Sequence, residues 1–440
     1  MTFPRYDAYK DINVAWIGEV PSHWASRPLW TLFRRTKRTG YEEEQLLSVY
    51  RDYGVVPKAS RDDNFNKPSE DLTTYQLVNP GDLAVNKMKA WQGSVAISEY
   101  KGIVSPAYFV FEGLHQEDSR FLHYLLRSAE YTAGYLSISK GIRPNQWDLE
   151  PQEHSRMPVL LPPIQEQAAI AAFLDREMDK IDALVEEQKR LIALLKEKRQ
   201  AIISHVVTKG LDSSVPMKQS GINWLGEIPA HWDRVQLGRL CRQVSDGPHF
   251  SPNYVDDGVL FLSARNVKVD AWSLEDAKFI SEEDCAEFDR RIVPERGDVL
   301  YTKGGTTGVA RVVDFDDRFQ VWVHIAVLKL HRHLCDPEFV AYALNSSGCY
   351  EQAQLFTRGA TNQDLGLTRM VKIWLCLPPL DQQRAIVERL NRETAEIDRL
   401  IHEVEMALGL LVERRSALIS AAVTGKIDVR DFVPDQAEAA

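Results

Sequence analysis

Apolar residues recur most regularly along two stretches of this chain, residues 161–208 and 377–424. In the first, Leu174, Ile181, Leu195 and Ile202 fall seven or fourteen apart, and Met178, Val185, Ile192 and Val206 fill the alternate positions. In the second, Leu390, Ile397, Val404, Leu411 and Leu418 keep the same spacing, joined by Ile401 and Leu408. This heptad rhythm predicts two long helices, each with an apolar seam for a partner helix. Gln188, Arg199, Thr394 and Arg415 interrupt the seams without erasing them. Pro162-Pro163 and Pro378-Pro379 stand where a first helical turn tolerates proline, and Gly210 and Gly425 stand where a helix stops. About 43 helical residues reach about 65 Å, too long for an ordinary helix on a domain core.

The two stretches also match each other without a gap at a spacing of 216 residues, pairing Gln167 with Gln383, Asp182 with Asp398 and Arg199 with Arg415. The repeat extends outside them. WIGEVPSHW from Trp16 returns as WLGEIPAHW from Trp224, at a spacing of 208, so the second intervening unit is longer by 8 residues. NPGDLAVNKMKAWQGSVAI from Asn79 answers ERGDVLYTKGGTTGVARVV from Glu295, and SKGIRPNQWDL from Ser139 answers TRGATNQDLGL from Thr357. Short strand-like runs and short helical patterns alternate between these landmarks, predicting two copies of a mixed α/β (α+β) globular unit of ordinary domain size. The expected organisation is a first globular domain over 1–160, a long helix over 161–208 and a linker over 209–222. A second domain over 223–376, a second long helix over 377–424 and a tail over 425–440 complete it. Helices of equal length and similar seam can bury those seams together. The 15 residues Thr208–Ile222, at ~3.5 Å per residue, fall just short of the span that a parallel pair needs, so the expectation is two antiparallel coiled-coil helices relating the units by a pseudo-twofold.

Composition adds limits. The chain has 440 residues, net charge −10 and 44% hydrophobic residues, as in ordinary globular proteins. No apolar run approaches the length of a membrane span and the N-terminus does not read as a signal peptide, so a cytoplasmic protein without membrane association is expected. The five cysteines lack CxxC spacing and read as free thiols. Residues 1–163 hold 19 Lys+Arg against 20 Asp+Glu, and 208–379 hold 19 against 23, so any nucleic-acid surface must be a local patch.

Catalytic patterns are missing. Gly304–Gly308 lacks the Lys-Ser/Thr ending of a P-loop. Pro162-Pro163 has Leu161 and Ile164 as neighbours, unlike the motif of an amino-methyltransferase. Asp82 and Asp298 precede strands, as nuclease aspartates do, but no acid-x-Lys follows them, and a strand-entry turn is the plainer reading. The eleven histidines form no HExxH or HxxxH pattern, so no metal site is expected. The chain on its own is not expected to be an enzyme or to bind a cofactor.

What remains are glycine-containing loops rich in Arg, Lys, Asn, Gln and aromatics, the side chains that contact base edges and phosphates. In the first unit the candidate DNA-binding residues are Tyr50, Arg51, Lys58, Lys87, Lys89, Trp91, Lys140, Arg143, Asn145 and Gln146. In the second they are His249, Ser251, Arg265, Asn266, Lys303, Thr306, Arg358, Thr361 and Asn362. Any one such loop is weak grounds, since surface loops are polar everywhere. Their paired placement in both units is the stronger signal, and it suggests two half-sites.

WxGE[VI]P…HW, GD[LV]…K, [KR]G…NQ and LPP[IL]xxQ opening a long helix, repeated twice over the whole chain, resemble the specificity subunit of type I restriction–modification systems. The resemblance implies two target-recognition domains reading one bipartite sequence in double-stranded DNA, with the helices as spacer. It also implies two docked modification (methyltransferase) subunits and restriction/translocase subunits. Those partners would hold S-adenosylmethionine, ATP and Mg. Two other classes stay open at this level. A coiled-coil scaffold would bind its partners with little dependence on salt, whereas DNA binding weakens steeply with salt. A self-contained nuclease would cleave DNA alone with a metal.

Overall fold

A computed structural model describes residues 3–51, 53–61, 68–141, 147–358 and 364–432. The chain divides into two compact units, one made of residues 1–188 and 406–440 and the other of 189–405. Each therefore takes a portion of both long helices.

The helices run over Ile164–Lys209 and Leu380–Val423. Both end against a left-handed glycine, Gly210 at φ 79° and Gly425 at φ 72°, a conformation that costs a side chain with a Cβ. Their pairing is antiparallel within each unit. In unit 1, Ile170, Leu174, Met178 and Ile181 share a core with Leu418, Ala422 and Val423, and Asp182 pairs with Arg415. In unit 2, Ile203, Val206 and Val207 share a core with Ile386, Val387 and Leu390, and Arg199 reaches Asp398 through Nε at 2.9 Å and Nη2 at 3.3 Å. The two ion pairs join equivalent residues, Asp182 matching Asp398 and Arg199 matching Arg415 at the 216 spacing.

The seam differs in detail from the heptad reading. Leu174, Ile181, Leu390, Ile397 and Leu418 are buried, but Leu195, Ile202 and Leu411 are only half-buried. Ile203, next to Ile202, is the fully buried residue. An α-helix drifts ~20° per heptad against a strict seven-residue repeat. At its C-terminal end the first helix turns Ile203, Val206 and Val207 onto the domain core beside Trp232.

Each unit is built on a four-stranded antiparallel sheet with the same connectivity. In unit 1 the spatial order is Phe33–Thr36, Tyr108–Gly113, Leu83–Asn86, Val95–Ile97. In unit 2 it is Cys241–Asp246, Ile325–Leu330, Val299–Thr302, Ala310–Val312. The Gly-Asp landmarks enter the third strand of each. Asp82 accepts the backbone N–H of Asn79 at 2.8 Å and pairs with Arg38. Asp298 accepts from Glu295 at 2.9 Å and pairs with Lys329 at 2.7 Å. These carboxylates hold turns. Beyond the shared sheet the units diverge. Unit 2 adds a sheet of Tyr254–Val255, Lys278–Ile280, Val259–Leu262 and Phe319–Val321, where unit 1 has two short antiparallel pairs, Leu47–Tyr50 with Gly54–Pro57 and Gln76–Val78 with Gly102–Val104.

The repeated motifs are joints of this frame. Gln167 is buried, accepts the N–H of Asp118 at 3.0 Å and donates to the carbonyl of Pro162 at 2.8 Å. Gln383 does the same with Asp336 at 2.9 Å and Pro378 at 2.8 Å. Asp118 and Asp336 in turn cap Ser119–Arg127 and Pro337–Leu344. The LPP…Q signature thus fastens the start of each long helix to the short helix beside it. All five cysteines are free, and four of them are buried. No helix among the described residues is long and apolar enough to cross a membrane.

Candidate nucleic-acid interface

The candidate loops leave the shared sheet at equivalent places in both units. In unit 1 the loop after Leu83–Asn86 carries Lys87, Lys89 and Trp91. Lys87 is half-buried, donates to the carbonyl of Pro106 at 2.5 Å and sits 4.9 Å from the Phe109 ring. Burial, with Arg35 and Lys37 nearby, pulls its ammonium pKa down. The Trp91 indole donates to Met88 at 2.9 Å, and its ring lies 5.2 Å from that of Trp147. Leu149 closes the arrangement by donating to the carbonyl of Lys87 at 3.0 Å. Lys89 and Lys140 are exposed.

A second group in unit 1 surrounds Tyr50. Its ring is 6.3 Å from Tyr53, and the Arg61 guanidinium lies 3.9 Å over Tyr53 and 5.5 Å from Tyr50. Arg51 is exposed, and its carbonyl accepts from Arg127 at 2.6 Å. Arg127 also lies 2.6 Å from His123, whose burial lowers its pKa to about 4. Lys58 is half-buried and bonded through its N–H to Leu46. Arg143, Asn145 and Gln146, together with Thr361 and Asn362 in unit 2, lie outside the described residues.

In unit 2, Arg265, Ser251, His249, Thr306 and Arg358 are exposed. Two other candidates are corrected by their surroundings. Asn266 is buried; its Oδ1 accepts from the N–H and hydroxyl of Ser263 at 2.8 and 2.7 Å, and its Nδ2 donates to Ser273 at 2.7 Å. An amide so engaged and so buried cannot reach a base edge, and it shapes the turn that presents Arg265. Lys303 is buried as well, with Nζ 2.9 Å from Asp364 and 3.4 Å from Asp246. Its ammonium faces two carboxylates inside the unit, where a phosphate cannot reach it without displacing them. Asp246, Asp364, Tyr53, Arg61 and Trp147 were within or beside the loops the sequence marks, but nothing in their spacing distinguished them from surface polar and aromatic residues.

The comparisons with known proteins agree with this geometry. Residues 259–405 match the family model described as type I restriction modification DNA specificity domain. Over 444 residues the chain is 24% identical to the type I restriction enzyme MjaVIII specificity subunit of Methanocaldococcus jannaschii, covering 98% of this chain and 99% of that one. It is 21% identical to the EcoKI specificity subunit of Escherichia coli K12, covering 93% of this chain and 90% of that one. The chain resembles type I specificity subunits along nearly its whole length. A solved chain from work on complex assembly and conformational transition of the type I R-M system shares the fold of this chain, with a TM-score of 0.68 at 16% identity over 93% of this chain and 99% of that one. Specificity subunits are not catalytic, and among the described residues no group of three His, Cys, Asp or Glu is arranged to hold a metal. What the fold of this chain supplies is two sets of loops on two copies of one scaffold.

Proposed function

We propose that this specificity subunit reads double-stranded DNA with its two units, one half-site each, and directs the adenine-methylating and ATP-driven restriction subunits of a type I complex to that sequence in the cytoplasm. The observation that carries the reading is the equivalence of the two four-stranded sheets, each presenting a polar, glycine-containing loop after its third strand. Unit 1 offers Tyr50, Tyr53, Arg61, Lys89 and Trp91, and unit 2 offers Arg265, Thr306 and Arg358. Arginine and lysine serve phosphates and guanine edges, and exposed aromatics stack or fill grooves. Two half-sites compound their selectivity, each mismatched base pair costing about 1–3 kcal/mol.

S-adenosylmethionine, ATP and Mg belong, in this reading, to the partner subunits. Two modification subunits dock on the long helices. What supports two equivalent docking places is a repeated pair of exposed leucines. Leu184 follows Asp182 by two residues and Leu410 precedes Arg415 by five. Leu400 and Leu194 hold the same positions around Asp398 and Arg199. A single exposed leucine is ordinary, but the same two around the same ion pair in both units form a repeated apolar patch.

The test is to co-express the chain with its modification subunit and map methylated adenines across a plasmid by long-read sequencing. Methylation at a two-part sequence with a fixed unread gap is expected. A stable complex that, given S-adenosylmethionine, leaves the plasmid without new methylation refutes the reading.

A further inference from the structure

Lys303 reads as a DNA contact in the sequence, yet it is among the more deeply buried charges in unit 2. Its ammonium joins parts of the chain far apart in sequence. Asp246, at the end of strand Cys241–Asp246, opens the loop that carries His249 and Ser251. Asp364 lies 61 residues beyond Lys303 and pairs through its backbone with the exposed Arg358. Lys303 itself opens the loop that carries Thr306. Two candidate DNA-facing loops and Arg358 are therefore rooted on one cation.

The roots are held further by their surroundings. Arg291 donates to the other Asp246 oxygen at 2.7 Å and to the Asp246 carbonyl at 3.2 Å. His249 Nε2 lies 3.4 Å from Asp246. The Lys303 carbonyl accepts the N–H of Leu365 at 2.7 Å, and its own N–H donates to His324 at 2.8 Å. Arg358 and Asp364 exchange backbone hydrogen bonds at 3.2 and 3.0 Å, and Arg369 donates to the Asp364 carbonyl at 2.7 Å. Lys303 and Arg291 balance Asp246 and Asp364 in charge, so the network is self-contained and needs no external anion.

We propose that Lys303 is a positioning residue for second half-site recognition, holding the loops that open at Asp246 and at Lys303 itself, together with Arg358 through Asp364, in one fixed arrangement without touching DNA. The proposal rests on the reading of unit 2 as a DNA reader. Base readout depends on donors and acceptors being placed to fractions of an ångström by supporting residues that are themselves locked. A buried lysine shared by two carboxylates supplies that lock, because its charge is stable only where both partners are. Among the described residues unit 1 has only a weaker counterpart: Lys87, the equivalent residue, is half-buried and bonds a carbonyl, with Asp148, the equivalent of Asp364, nearby, and Trp91 and Trp147 brace that loop through their rings.

The deciding experiment maps methylation motifs for the complex containing wild-type chain, Lys303→Met or Asp364→Asn. Asp364 is partly exposed and Asp246 still faces Lys303 without it, so its variant loosens the tie while leaving the lysine one carboxylate, and it keeps the test open should Lys303→Met fold poorly. A positioning role predicts that both variants broaden the base preference at several positions of the second half-site, by roughly tenfold in relative methylation of near-cognate sites, and leave the first half-site sharp. If Asp364→Asn leaves the second half-site as sharp as wild type, the proposal is overturned, and loss of preference at one base pair in Lys303→Met alone makes that lysine a direct reader. A uniform drop in methylation at all sites, with unchanged base preference, also overturns it, as the mark of a merely structural role. Absence of any two-part motif with the wild-type chain is a different failure, that of the DNA-reading assignment itself.

Discussion

In unit 1 the indole of Trp24 donates to Glu166 at 2.9 Å, and in unit 2 the indole of Trp232 donates to Gln382 at 3.0 Å. Glu166 and Gln382 are equivalent positions of the two long helices, as are Gln167 and Gln383, which pin the helix starts. Above this joint the units part. Unit 1 braces its loops with aromatic rings and Arg61, while unit 2 uses the ion network of Lys303 and adds a four-stranded sheet. The difference separates two kinds of work. Joints that hold a domain to a helix face the same demand in both copies and keep the same chemistry. Loops that meet different partners face different demands and do not.

The largest test of this division acts on the helices. Seven residues inserted into each lengthen it by about 10 Å, close to three base pairs of DNA. The unread gap should grow by that much while both half-sites stay unchanged, as methylation mapping would show. An unchanged gap removes the spacer role.

The Trp joints are next. Trp24→Phe deprives the buried Glu166 of the indole donor to its Oε1, while His23 stays 2.8 Å from Oε2, and should cost about 1.5–3 kcal/mol. Trp232→Phe should cost less, about 1 kcal/mol, since Gln382 is uncharged and half-buried and water can replace the indole. Denaturant midpoints of the two variants would sharpen the comparison, and equal losses would show that the carboxylate brings no added demand.

His154 offers a difference of about the same size that depends on pH. It fills in unit 1 the buried place that Met370 fills in unit 2, between Phe111 and Tyr135, and neither ring nitrogen has a hydrogen-bond partner among the described residues. Burial lowers its pKa to about 3, from 6.5. The unfolded chain therefore takes up a proton that the folded one refuses as pH falls between those values. Stability contributed by the neutral ring is full above about 6.5 and is lost on acidification, at roughly 1.4 kcal/mol per pH unit. His154→Met should flatten that slope between pH 6 and 4 and leave the chain no less stable at pH 7. A slope equal to that of the wild type would show that His154 does not stay neutral.

The smallest effects belong to the helix–helix ion pairs. Arg199 has 14% side-chain exposure and makes two bonds to Asp398, whereas Arg415 has 38% and pairs with a more exposed Asp182. Arg415→Ala should cost ~0.2–1 kcal/mol, and Arg199→Ala more, about 1–2 kcal/mol. Melting of each variant in low and high salt would check the order.

Much of the frame was visible from spacing alone, because its signals are local. Heptads, helix-opening prolines, terminal glycines and Gly-Asp turns each act within a few residues, and duplication wrote them twice. The interface was less visible. Asn266 and Lys303 stand in glycine-containing polar stretches that look like surface, and the partners that bury Lys303 are 57 and 61 residues distant in sequence. Arg61 and Trp147 gain meaning only beside Tyr53 and Trp91, contacts that spacing does not encode.

The sequence by itself determined that two like units alternate with two long seam-bearing helices, since periodicity and repetition are properties of the chain. Only the tertiary structure decided which polar residues face outward. A charge becomes internal when distant carboxylates converge on it and replace its water, and that convergence is a property of the fold.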